Sequence, residues 1–311
     1  MVTTSLRTDL YELTMIQAAR DAGVAERHCV FEVFTRSLPE GRRYGVLTGV
    51  GRILDALAQF HFDDEDIAFL ESTGMFSADL VEFARTYRFT GSVSAYAEGE
   101  VFFPNSPVIR VEGTFQECVL LETLILSILN HDSSISSVGS RMIAAADGRP
   151  CIEMGSRRVH EDAAVAASRA AAIVGFASTS NLEAGRRYGI PVTGTSAHAF
   201  TLLFDSEADA FAAQVENLGA DTSLLVDTFD IPTAIDRAIA AAGTGLGGVR
   251  IDSGDLGATA RAVRTQLDAL GASETRITAT SDLDEYRVFA LRDAPLDGYG
   301  IGTRLVTGGD H

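Results

Sequence analysis

A chain of 311 residues with 46% hydrophobic and 22% charged side chains can bury a large core and is long enough for one or two domains. Its formal net charge of -18 argues against nucleic-acid binding, which depends on clustered Lys and Arg displacing counterions from phosphates. Three cysteines, Cys29, Cys118 and Cys151, lack metal-ligand spacing, and their odd number without a secretory leader reads as reduced thiols rather than a disulfide framework.

Met1 to Leu10 carries Thr, Ser, Arg and Asp where a leader needs an apolar stretch, and Glu122 or Arg169 breaks the longest apolar windows. A cytoplasmic protein with no membrane partner is therefore expected. An amphipathic period predicts a helix from Asp9 to Ala22, alternation predicts a strand from Cys29 to Arg36, and a second helix follows from Gly49 to Ala58. This first third reads as α+β. From Gly91 to Gly113 the pattern turns to strands, with Val101-Phe102-Phe103 and Val108-Ile109-Arg110-Val111 separated by a Pro104-Asn105-Ser106-Pro107 loop. Cys118 to Asn130 predicts an apolar helix interrupted only by Glu122, Thr123 and Ser127. The domain boundary is placed just before it, giving domains of residues 1–117 and 118–311.

After Arg149 short apolar segments ending in polar residues alternate with Ala-rich helical stretches, repeating every ~20 to 30 residues as βα units do. The strand-like segments are 152–155, 175–178, 192–198, 224–227, 248–252, 277–282 and 299–303, which predicts seven parallel strands. A doubly wound sheet could carry them. Nearly every segment, however, ends in a reactive or phosphate-friendly residue, as the mouth of an α/β barrel would, and this favours an irregular barrel.

His198 follows the approach Gly194-Thr195-Ser196, so its imidazole is expected at the barrel mouth, available for proton transfer or nucleophilic attack. Asp227, ending the next segment, either accepts a ring N–H of His198 or caps the following helix, a task that suits Asp230 better. Arg250-Ile251-Asp252-Ser253-Gly254-Asp255 can grip an anion and ribose hydroxyls, or it is a plain turn capped by Ser253 or Asp255. Gly298 to Thr303 offers backbone N–H groups to a phosphate, and Ser281-Asp282 can serve ribose or magnesium. Arg157-Arg158 is either an anion clamp or a surface pair bridged to Glu161 or Asp162. Singly these signals are weak; together they point to a phosphorylated sugar substrate.

Four motifs in order, Asp9-Leu10-Tyr11-Glu12-Leu13-Thr14-Met15, Met154-Gly155-Ser156-Arg157-Arg158, Gly194-Thr195-Ser196-Ala197-His198-Ala199-Phe200 and Val249-Arg250-Ile251-Asp252-Ser253-Gly254-Asp255, resemble nicotinate phosphoribosyltransferases. Leu121-Glu122-Thr123 and Gly300-Ile301-Gly302-Thr303-Arg304 extend the likeness through nearly the whole chain.

The resemblance implies an α/β sandwich domain packed on an irregular α/β barrel, with active sites shared in a homodimer. It implies nicotinate, phosphoribosyl pyrophosphate and ATP as substrates, with magnesium shielding the pyrophosphate. By the family pattern His198 is transiently phosphorylated by ATP and Asp227 is its partner. Tyr11, which could locally be core, matches an aromatic covering the nicotinate ring from the neighbouring subunit. Arg157 and Arg250, with Thr195, match positions around the base, and Asp252, Ser253, Gly254, Ser281, Asp282, Gly302 and Thr303 match the phosphoribosyl positions. Asp252 and Asp282 are the carboxylates expected nearest magnesium. The family continues beyond the Gly302-Thr303 turn with a basic segment that completes the sandwich, so the sandwich within these residues is expected to be incomplete. Nicotinamide or quinolinate phosphoribosyl transfer on the same architecture, and a truncated homologue without turnover, are the competing readings.

Overall fold

The computed structural model describes residues 3–309; Met1, Val2, Asp310 and His311, which belong to the N-terminal segment and chain end considered above, lie outside the described residues. The described residues form two compact units, 3–137 and Val138–Gly309. The division falls inside a long helix, further along the chain than the boundary placed before Cys118.

In the first unit α1 (Leu10–Asp21) is followed by β1 (His28–Val33), β2 (Gly45–Val46), α2 (Val50–Ala58), α3 (Asp64–Ser72) and α4 (Ala78–Thr86). Then come β3 (Ser92–Ala95), β4 (Val101–Phe102), β5 (Ile109–Thr114) and α5 (Phe115–Cys118), and a 3₁₀ turn leads into α6 (Glu122–Ala146). β5 lies between β1 and β3, antiparallel to both, with His28 opposite Thr114 and Ser92 opposite Glu112. β4 pairs instead with β2, so the strands flanking the Pro104 loop belong to different sheets. The period of two in β1 puts Cys29, Phe31 and Val33 against a core that includes Leu13, Ile53, Leu80 and Leu124. Phe60, Phe62 and Tyr87 meet edge to face there, with ring centroids 5.5, 6.2 and 6.3 Å apart.

Helix α6 runs on to Ala146, beyond the Asn130 at which the apolar pattern ends. The polar run His131-Asp132-Ser133-Ser134 hides its continuation, because Ser133, Ser136 and Ser137 are buried by bonding rather than by apolarity. Ser133 and Ser137 accept the N–H groups of Thr48 and Val46 at 3.2 and 2.9 Å, and Ser136 donates to the Asp132 carbonyl within the helix at 3.0 Å. By length and composition Phe115–Ala146 could cross a membrane, but 61% of its most apolar window is buried inside the protein, as in a core helix.

Glu12 explains part of the first motif. It is fully buried, and its Oε1 accepts the Thr123 N–H and hydroxyl at 2.9 and 2.7 Å, while Oε2 has no partner among the described residues. Burial pushes its carboxyl up to about 7; the Thr123 bonds oppose that rise and Glu122 adds to it. A raised acid pKa means the folded state holds the proton that the unfolded chain releases, so stability falls as pH rises from about 4.5 to 7. Glu12→Gln should remove about 2–3 kcal/mol of this pH-dependent loss. Urea unfolding at pH 5 and pH 8 checks it: a variant that loses as much stability as the parent would place the titration elsewhere.

The second unit alternates β6 (Cys151–Glu153), α7 (Glu161–Ile173), β7 (Ser178–Thr179), α8 (Leu182–Tyr188), α9 (His198–Thr201), α10 (Glu207–Leu218) and β8 (Ser223–Leu225). It continues through α11 (Ile231–Ala242), β9 (Gly248–Ile251), α12 (Leu256–Ala269), β10 (Arg276–Ala279), α13 (Glu285–Ala290), β11 (Gly298–Ile301) and α14 (Thr303–Val306). The strands are parallel in the order β7-β6-β11-β10-β9-β8. Consecutive strands are neighbours except β7 and β8, and the last pairs with the first, β11 with β6, whereas a doubly wound sheet would reverse its order at a switch point. This is an irregular α/β barrel, its hydrogen-bonded sheet a curled partial barrel with β7 and β8 at its edges.

The seventh expected strand, 192–198, does not form. Val192 alone bridges Thr179, because Pro191 has a carbonyl but no N–H for the ladder and the chain turns into α9 at His198. Asn181, Ser206, Asp230, Asp255 and Asp284 cap the helices that follow them, each accepting a first-turn N–H at 2.8 to 3.2 Å. The cap of α11 is thus Asp230 and that of α12 is Asp255, leaving Asp227 and Ser253 for other work.

Candidate active site

A cavity of about 890 Å³ opens at the carboxyl ends of the parallel strands, near the upper end of the size range of small-molecule sites. Arg157, Thr195, Arg250, Asp252, Ser281, Asp282, Gly302 and Thr303 line it, together with Met154, Ser156, Arg158, Ser180 and Thr280. The lining therefore draws on the loops after β6, β7, β9, β10 and β11 and on the 192–198 segment. Ala197 lines the cavity and His198 follows it as the first residue of α9, so the imidazole stands beside this mouth at the start of a helix rather than at the end of a strand.

His198 Nε2 lies 3.3 Å from Asp227 Oδ1, with the imidazole 42% exposed and the carboxylate 1% exposed. Asp227 Oδ2 accepts the Asp252 N–H at 2.8 Å and the Ser253 hydroxyl at 2.7 Å, and Oδ1 makes no hydrogen bond among the described residues. A buried carboxylate oxygen facing the imidazole at this distance can orient the ring. The Asp227 side chain is thus shut off from solvent and meets His198 and the β9 loop. Ser253 spends its hydroxyl on Asp227, and Gly254, at φ +74°, makes the turn that brings the chain to the Asp255 cap.

Arg250 donates to the Ser196 carbonyl at 2.9 Å, tying β9 to the segment before His198. Its Nε is buried with no partner among the described residues, an unmet donor on a group that lines the cavity. Burial pushes this guanidinium below its ordinary value; Asp252 and Asp227 act against the shift, and Arg157 reinforces it as a like charge nearby. Arg157 and Arg158 form no ion pair with Glu161 or Asp162 among the described residues; Glu161 lies 3.7 Å from His160 instead. Three guanidiniums, those of Arg157, Arg158 and Arg250, line one cavity in an acidic chain, which suits a carboxylate or phosphate.

Asp252 Oδ1 accepts the Thr280 hydroxyl at 2.6 Å, and Asp282 Oδ2 stands 3.5 Å from Arg304 Nε. Ser281, between them in the lining, has φ 119°, a conformation that costs a non-glycine residue about 1–3 kcal/mol and is held where surrounding structure fixes it. No group of three or more His, Cys, Asp or Glu side chains that could hold a metal ion occurs among the described residues. Two carboxylates in the lining, Asp252 and Asp282, fit an ion that arrives with phosphate oxygens of its own.

The loop after β6 is pinned by Glu153, which the motif reading passed over. This buried carboxylate accepts the Gly155 N–H through Oε1, and through Oε2 the hydroxyls of Ser168 at 2.7 Å and Thr179 at 2.5 Å. The signal for it was a carboxylate ending an otherwise apolar strand. Gly155 is required by space, since a Cβ there would lie 2.1 Å from Val306 Cγ1.

Tyr11 belongs to the first unit, on α1. Its ring is 43% exposed and its hydroxyl donates to Glu122 Oε1 at 3.1 Å, so it is not a core residue.

These features define an α/β barrel with a polar, anion-accepting mouth and an imidazole–carboxylate pair beside it. The nicotinate phosphoribosyltransferase N-terminal domain family matches residues 6–130. Nicotinate phosphoribosyltransferase pncB1 of Mycobacterium tuberculosis is 57% identical over 97% of this chain and 69% of its own length. The crystal structure of human nicotinic acid phosphoribosyltransferase superposes with a TM-score of 0.84 at 26% identity, covering 95% of this chain and 72% of that one. Nicotinate-nucleotide pyrophosphorylase from Pyrococcus furiosus superposes with a TM-score of 0.83 at 25% identity, over 98% and 72% of the two chains. The chain belongs to the nicotinate phosphoribosyltransferase family.

Proposed function

We propose that this chain joins nicotinate to the phosphoribosyl group of phosphoribosyl pyrophosphate, giving nicotinate mononucleotide and pyrophosphate for NAD biosynthesis by the Preiss-Handler route. ATP hydrolysis through a transient phosphate on His198 drives the synthesis. The observation that carries this reading is the placing of an imidazole–carboxylate pair and an unmet buried Arg250 donor at one barrel mouth.

The pyridine nitrogen of nicotinate forms the new bond to C1 of the ribose as the bond to pyrophosphate breaks, and the electron pair leaves with the pyrophosphate. Arg250 and Arg157 take the nicotinate carboxylate, a group that nicotinamide lacks, with Thr195 beside it. Asp252, Ser281, Asp282, Gly302 and Thr303, which line the cavity, surround the phosphoribosyl group, while Ser253 and Gly254 act behind them by shaping the β9 loop. Magnesium enters with the pyrophosphate as part of the substrate, facing Asp252 and Asp282. Asp227 sits on the Nε2 side of His198, which leaves Nδ1 as the ring nitrogen free of that carboxylate, and its charge stabilises the imidazolium.

The working form in this reading is a cytoplasmic homodimer whose exposed Tyr11 stacks on the base held by the other subunit. Unpaired Cys29, Cys118 and Cys151 agree with a reducing compartment.

Purified protein given magnesium, ATP, phosphoribosyl pyrophosphate and nicotinate should form nicotinate mononucleotide faster than without ATP. Product from nicotinamide or quinolinate in preference to nicotinate would overturn the base assignment. Ligand-raised melting with no product from any base would mark a homologue without turnover.

A further inference from the structure

Glu153 is buried, ends strand β6 and touches none of the groups assigned to the reaction. A carboxylate taken out of water is costly unless its oxygens are met by donors, and here all of its donors belong to one small region. Oε1 takes the Gly155 N–H, two residues before Arg157. Oε2 takes the hydroxyls of Ser168 on α7 and Thr179 on β7.

The second branch returns to the same loop. Thr179 Oγ1 accepts the Asn181 N–H at 3.0 Å, and Asn181 Nδ2 donates to Ser156 Oγ at 3.0 Å. The carboxylate therefore holds the Gly155 backbone directly and the Ser156 side chain through Thr179 and Asn181, anchoring the two residues on the amino side of Arg157. Arg157 itself has a long, exposed side chain with no ion pair among the described residues, so the direction it faces depends on its backbone anchor. A charged acceptor is suited to this task, because its hydrogen bonds are about twice as strong as neutral ones and it can meet several donors at once.

We propose that Glu153 is a positioning residue that aims Arg157 into the cavity and so sets the preference for a base carrying a carboxylate. This rests on the assignment of Arg157 to the base under the proposed function. Without the anchor the guanidinium samples many rotamers, and the anionic base loses a partner that a neutral base never had.

The test compares kcat and KM for nicotinate and nicotinamide in Glu153→Gln, Arg157→Ala and the double variant, each checked by thermal melting. Glutamine can accept from Gly155 and donate to a rotated hydroxyl, so it keeps the packing and loses the charge. The expected result is a roughly 10-fold rise in KM for nicotinate, with kcat changed less than about 3-fold and activity toward nicotinamide little altered. The double variant should be no worse for nicotinate than Arg157→Ala alone, because the two residues act as one unit.

Equal losses for both bases, or losses that add in the double variant, would overturn the proposal and leave Glu153 with a structural part only. Should Glu153→Gln fail to fold, Thr179→Val removes one hydroxyl link while keeping a β-branched side chain, and the same comparison then decides. If wild-type protein makes no nucleotide from nicotinate, the proposed function has failed; if it does and the discrimination is unmoved by these variants, only the role of Glu153 has.

Discussion

His198→Ala should lower ATP-stimulated formation of nicotinate mononucleotide by about two to three orders of magnitude, the scale expected when a positioned acid–base or nucleophilic group is lost. The fold should survive. His198 opens a four-residue helix, is 42% exposed, and faces a carboxylate that already keeps two other donors, so its removal leaves neither a cavity in the core nor a collapsed loop.

Two measurements check the result. Incubation with γ-labelled ATP should leave acid-labile phosphate on the parent protein and none on the variant, and the ratio of rates with and without ATP should fall to about one in the variant. Asp227→Asn is the companion. Its carbonyl oxygen can still accept from Asp252 and Ser253, so the β9 loop stays in place while the charge beside Nε2 disappears. Labelling should slow by about 10-fold or more without a matching drop in melting temperature. Label retained by His198→Ala would move the phosphate to another group and remove the central step of the proposed chemistry.

Much of this site was legible in the sequence because a parallel barrel converts position along the chain into position around a mouth. Once the βα rhythm after Arg149 is recognised, residues at the segment ends, such as Arg157, Arg250, Asp252 and Asp282, are expected near one another, and all of them line one cavity. What pattern could not supply was which polar groups spend their bonds inside the protein. Ser253 looks like a free hydroxyl beside a glycine, yet it is held by Asp227; Glu153 looks like the polar end of a strand, yet it has no exposure and three donors. The same limit hid the second half of α6, where buried serines answer backbone N–H groups far away in sequence. The 192–198 segment does not form a strand for a local reason, the proline at 191, which supplies no N–H to the ladder.

The second large effect is expected at Arg250. Replacing it with alanine removes the donor to Ser196, which precedes His198 by two residues, and takes away a largely buried positive charge that interacts with Asp227 and Asp252. Truncating one member of a buried charge cluster costs about 2–5 kcal/mol, and kcat/KM for nicotinate should fall by about 100-fold or more. In the proposed chemistry Arg250 serves both the base and the loop carrying His198, so the loss should be divided between KM for nicotinate and the yield of labelled phosphoenzyme.

Arg250→Lys separates the two. A lysine keeps the charge that balances Asp227 and Asp252 but has no fork with which to hold a carboxylate and the Ser196 carbonyl together. It should therefore retain phosphorylation at His198 while KM for nicotinate stays raised by about 10-fold. If the lysine variant restores both, Arg250 acts as a point charge and the carboxylate of the base is read by other groups. If it restores neither while melting like the parent, the bond to Ser196 is what matters, and Arg250 works by holding the His198 segment rather than by touching substrate.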